Sequence, residues 1–102
     1  MKLEFYPIEK LKKEIFKIIG KHLDLNEYKV FFFGSRVREE NFPRADIDIG
    51  ILGKKPVPAE IKFKIEEELE ELPTLYKFDL VDFAEVSEDF KKEALKSIEY
   101  VK

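Results

Sequence analysis

The chain contains no cysteine and no glutamine, and its only asparagines are Asn26 and Asn41. Without thiols there are no disulfides and no thiolate metal sites. No apolar run is long enough to span a bilayer as a helix, and no leader pattern opens the sequence, so a soluble cytoplasmic protein without membrane contact is expected. Charge of one sign is also scarce in net terms, because 19 basic and 22 acidic residues leave only −3. That balance disfavours general electrostatic binding of nucleic acid unless the charges segregate strongly. A single histidine, His22, falls at the end of an expected helix where a cation is favoured, and it reads as structural. No internal repeat or low-complexity segment is present.

The 102 residues are 44% hydrophobic and include ten phenylalanines, a composition that is globular and not disordered. One domain over residues 1–102 with one core is expected at this length. Charged residues make up 40% of the chain, mostly Lys and Glu, and together with the scarcity of amides this predicts a heat-adapted protein.

Helical spacing of Ile8, Leu11, Ile15, Ile18 and Ile19 predicts a first helix from about Pro7 to His22, with Lys10, Lys13, Lys17 and Lys21 on a solvated opposite face. A second helix is predicted from about Ala59 to Glu71, buried through Ile61, Ile65, Leu69 and Leu72 and stopped before Pro73. Its acidic end, Glu66 to Glu71, opposes the helix dipole and suggests neighbouring lysines or a basic partner. Ser87 is suited to cap a last helix running through Tyr100, with Phe90, Ala94, Leu95 and Ile98 inward. Between these lie strand patterns, so the expected fold is α/β: a small mixed sheet of three or four strands with helices packed against it.

The run Val30-Phe31-Phe32-Phe33 leads directly into Gly34-Ser35, which puts a glycine turn at the carboxyl end of a strand buried on both faces. Such a turn lets backbone amides approach an anion closely, with the serine hydroxyl as a further donor. By itself a Gly-Ser pair after a strand is usually only a turn.

Ten residues later comes Asp46-Ile47-Asp48. Strand alternation puts Asp46, Asp48 and Gly50 on one face and Ile47, Ile49 and Ile51 on the other. The two carboxylates then stand about 6–7 Å apart at Cα, within reach of one hard cation. The ordinary reading of such a pair is an edge strand with its acids in water; the Gly-Ser turn upstream favours the metal site. A third acid is available in Lys77-Phe78-Asp79-Leu80-Val81-Asp82-Phe83. Asp79 falls with Val81 and Phe83, Asp82 with Phe78 and Leu80, and periodicity does not choose between them.

The segment GSRVREENFPRADID, followed by the DLVD strand, resembles the minimal nucleotidyltransferases of the DNA polymerase beta superfamily over nearly the whole chain. The resemblance implies metal ligands at Asp46, Asp48 and, as the first acid of the DLV strand, Asp79. It implies nucleotide contacts at Gly34 and Ser35, with Arg36 and Arg38 as phosphate partners. It further implies one or, more readily, two Mg2+ ions, ATP as nucleotide donor, and transfer of a nucleoside monophosphate to a hydroxyl with release of pyrophosphate. Two departures concern nucleotide positioning: Glu39 replaces a frequent glycine and Ala45 a frequent serine.

Resembling proteins are often one half of a pair with a helical HEPN-type protein, and some are antitoxins that attach AMP to that partner. A HEPN-type partner is therefore expected. The alternatives are a homodimer acting on a small molecule and a catalytically silent module that neutralises a toxin by binding it. Nucleic acid is expected only as an acceptor.

Overall fold

The computed structural model describes residues 1–38 and 46–101. Helix α1 (Ile8–Gly20) is followed by β1 (Tyr28–Phe33), β2 (Ile47–Gly53), α2 (Ala59–Glu70), β3 (Phe78–Asp82), α3 (Glu88–Ala94) and β4 (Glu99–Tyr100). The four strands form one sheet in the order β3-β2-β1-β4. β1 is antiparallel to both β2 and β4, whereas β2 and β3 run parallel. The sheet is therefore mixed, and its two central strands are β1 and β2.

Pro7 precedes α1, where its fixed φ is harmless and its carbonyl accepts the first helical bond from Leu11 N–H at 3.0 Å. Pro58 does the same for α2, accepting from Lys62 N–H at 2.9 Å. Both helices lie on one face of the sheet. Leu11, Ile15 and Ile19 of α1 and Ile65 and Leu69 of α2 share a core there with Phe32, Ile47, Ile49, Ile51 and Leu80. Burial of an Ile, Leu or Phe side chain contributes roughly 1.5–3 kcal/mol, so this layer is the main source of stability. The acidic end of α2 meets cations from within the chain: Glu68 binds both Lys21 and His22 at the end of α1. Those two partners hold the Glu68 carboxyl below its ordinary range, Lys21 contributing most. His22 thus ties two helices together.

The second face carries a smaller aromatic cluster of Phe31, Phe33 and Phe83, covered by Ala94 of α3 and by Leu95 and Ile98 just beyond it. Gly50 makes this possible, because a Cβ there would lie 2.4 Å from Phe31 and 2.8 Å from Phe83. Ser87 caps α3 as expected, its Oγ accepting from Phe90 N–H at 3.1 Å. The helix does not continue to Tyr100, however. It stops at Ala94, turns through Lys96 and Ser97, and gives Glu99–Tyr100 to the open edge of β1, opposite Phe32 and Phe31. The alternating Ile98-Glu99-Tyr100-Val101 suits an extended edge, and Val101 closes the ladder by donating to Val30 O at 3.1 Å. Lys12 on α1 holds Glu99 at 2.9 Å. No helix among the described residues is long and apolar enough to cross a membrane.

Candidate active site

β1 ends at Phe33, which stands opposite Asp48 of β2 in the antiparallel register. The chain then reverses at Gly34 with φ of 83°, a left-handed conformation that disfavours any side chain. A Cβ at Gly34 would lie 2.1 Å from Asp48 Oδ2, so the missing side chain also makes room for the carboxylate. The turn closes on itself, Val37 and Arg38 N–H both donating to Gly34 O at 3.2 Å. Ser35 is half-buried within it.

Asp46 is exposed immediately before β2, and Asp48 is half-buried two residues on. The parallel register sets Asp79 of β3 directly beside Asp48. Asp48 is consequently a poor acid to ionise: its pKa is pushed up to about 6, first by burial and then by the charges of Asp79 and Asp46, with Arg38 opposing them. Asp82, which periodicity alone left open, belongs to the other face. It is 6% exposed and accepts hydrogen bonds from Val57 N–H at 2.7 Å and Ala84 N–H at 3.0 Å. Both bonds tie loop backbone to the end of β3, a structural duty that consumes its oxygens.

An open groove of about 670 Å3 runs along this end of the second face, between the glycine turn with Asp48 and the wall formed by α3. Arg38 lines it, whereas the Arg36 guanidinium lies over the Tyr76 ring, 4.9 Å from the centroid. The arginines, adjacent in pattern, thus face different surroundings. The groove also takes in Phe90, Glu93, Lys96 and Ser97, none of which sequence reasoning singled out for a site. Only the inward phase of Phe90 and Ala94 on the predicted helix hinted at that wall. Glu39 and Ala45, the two departures in the connecting segment, lie outside the described residues.

A glycine turn against paired strand carboxylates is the setting in which the family comparison decides the matter. The profile of the polymerase beta nucleotidyltransferase family matches residues 13–101. The chain belongs to this family. Among curated proteins, a probable protein adenylyltransferase MntA of Haemophilus influenzae is 32% identical over 66 residues, covering 65% of this chain and 58% of the relative. The chain thus spans less than two thirds of that relative's length. Among solved structures, a toxin–antitoxin with AMP-PNP superposes with a TM-score of 0.71 at 17% identity, over 89% of this chain and 72% of the other. A Shewanella oneidensis complex of a tri-AMPylated HEPN toxin with its MNT antitoxin gives 0.67 at 18% identity, over 92% and 71%. At these identities the likeness is one of fold.

Nucleotidyltransferases of this family generally use a divalent metal. Among the described residues no three acidic or histidine side chains are arranged to hold an ion as they stand. The donor chemistry nevertheless fits a hard cation. Asp48 and Asp79 are neighbouring oxygen donors, Asp46 adds its charge to theirs, and the burial and repulsion that together raise the Asp48 pKa are what a bound cation offsets.

Proposed function

We propose that this nucleotidyltransferase moves a nucleoside monophosphate, AMP from ATP, onto a hydroxyl of a helical HEPN-type protein and so acts as an antitoxin in the cytoplasm. The observation that carries the reading is the abutment of Gly34 and Asp48, with Asp79 alongside: a glycine turn and an acidic pair share one end of the sheet. The relative described as a protein adenylyltransferase and the AMPylated complex support AMP and a protein acceptor.

Gly34 and Ser35 would receive the triphosphate through backbone amides and the hydroxyl, and Arg38 would offset its charge from the groove wall. Arg36 would join them only by leaving the Tyr76 ring. Asp46, Asp48 and Asp79 would hold Mg2+, two ions by analogy with two-metal sites; when bound, the metal polarises the phosphate oxygens and stabilises the leaving pyrophosphate. Asp79, exposed beside Asp48, would accept the proton of the attacking hydroxyl. That oxygen bonds to the α-phosphorus as the bond to the bridging oxygen of pyrophosphate breaks.

The test is incubation of the chain and a co-purifying helical protein with α-labelled ATP and magnesium. Label should appear on the partner, and Asp46→Asn and Asp48→Asn should abolish it. Neutralisation that survives both substitutions, with no label transferred by the wild type, would instead establish a passive binding module.

A further inference from the structure

We propose that Phe90 is the platform on which the nucleobase stacks, a role that rests on the nucleotide reading above. The ring is 43% exposed, while its neighbours Phe33 and Phe83 are 6% and 1% exposed. It borders the same groove as Gly34, Ser35, Arg38 and Asp48. Phe5 and Phe63 are more exposed still, but Phe90 differs from them in bordering this groove and in packing against two buried rings. Its backbone is fixed by the Ser87 cap at 3.1 Å. Its ring packs nearly perpendicular to Phe33, centroids 6.1 Å apart at 87°, and tilted against Phe83 at 5.9 Å and 55°.

The groove is chemically graded. On its sheet side are a backbone turn and an arginine suited to an anion. On its α3 side, Glu93 and Lys96 neutralise each other at 2.8 Å, which leaves Phe90 as the dominant apolar feature. A ligand with an anionic tail and a flat aromatic head matches that polarity, and a volume of about 670 Å3 accommodates one. Stacking recognises the π-face that every base has, so the platform confers affinity for nucleotides without choosing among bases.

The test measures binding of ATP, GTP and inorganic tripolyphosphate to the whole chain with magnesium, by calorimetry. Phe90→Leu keeps an apolar side chain against Phe33 and Phe83 but removes the π-face. ATP and GTP affinity should each fall about ten-fold, with tripolyphosphate affinity unchanged. Phe90→Trp should bind ATP as the wild type does. Because the chain has no tryptophan, that indole is a sole reporter, and its emission should respond to ATP but not to tripolyphosphate. A Phe90→Leu variant that keeps full ATP affinity overturns the proposal. So does one that loses ATP and tripolyphosphate equally, since Phe90 would then only prop the turn. A wild-type chain that binds none of the three probes overturns the nucleotide reading itself, a result visible before any substitution is made.

Discussion

Asp48 and Asp79 stand side by side on parallel strands, and the charge of Asp79 adds to burial in raising the Asp48 pKa, with Arg38 opposing it. Sheet registry, and not loop flexibility, sets their spacing. Removing one charge therefore has opposite effects on folding and on chemistry. Asp48→Asn should raise the melting temperature of the metal-free protein at pH 7 and lower transfer on the order of a thousandfold, several kcal/mol of transition-state stabilisation. Thermal melts with and without magnesium, run beside the transfer assay, check both halves.

The raised pKa of Asp48, about 6, also gives a signed pH dependence. Between its ordinary value of 3.8 and about 6 the folded state holds a proton that the unfolded chain has released. The contribution of Asp48 to the stability of the metal-free protein should therefore fall as pH rises through that window and level off above it, while the lowered pKa values of Glu68 and Glu99 act in the opposite sense. Magnesium affinity should climb through the same window, because the cation needs the carboxylate. Denaturant titrations of the wild type and Asp48→Asn at pH 4, 5, 6 and 7 decide this; a wild-type stability that gains on the variant across the window contradicts it.

Gly34→Ala places a methyl group into Asp48 Oδ2 and forces an L-residue into the left-handed region. The backbone conformation alone should cost about 1–2 kcal/mol, before the overlap is counted. Nucleotide binding should be lost more completely than stability, which calorimetry and urea unfolding resolve separately.

Asp82 provides the contrast with Asp79. Asp82→Ala leaves the amides of Val57 and Ala84 without their acceptor and should destabilise the fold by about 1–3 kcal/mol. The fraction that remains folded should bind ATP and magnesium normally. Asp79→Ala should show the reverse pattern, near-native unfolding with impaired binding.

The Lys- and Glu-rich, amide-poor composition predicts a melting temperature above the mesophilic range of about 45–65 °C. Calorimetry provides the value, and a midpoint inside that range removes the prediction.

Much of this structure is legible in local pattern. Strand alternation correctly divided Asp46, Asp48 and Gly50 from the isoleucines between them, since a period of two leaves no choice once one face is apolar. The same rule separated Asp79 from Asp82, but choosing between the faces required the parallel register with β2, a contact between distant segments. The last helix was overextended because Ile98 keeps helical phase with Ala94, while the vacant edge of β1 that captures Glu99–Tyr100 is a tertiary feature. Long-range pairing likewise hid the partners of Glu68 and the position of Arg36 over Tyr76. Helical phase placed Phe90 inward, and its ring does touch Phe33 and Phe83, but the side chain stays 43% exposed and borders the groove, because α3 stops at Ala94.

That short α3 sits against an aromatic cluster while the acids ride on the sheet has an evolutionary corollary. Substitutions at the exposed positions of Glu88–Ala94 should reshape the groove wall while the strand register that sets Asp48 beside Asp79 stays as it is. Wall and acids are thereby carried on separate pieces of one small scaffold.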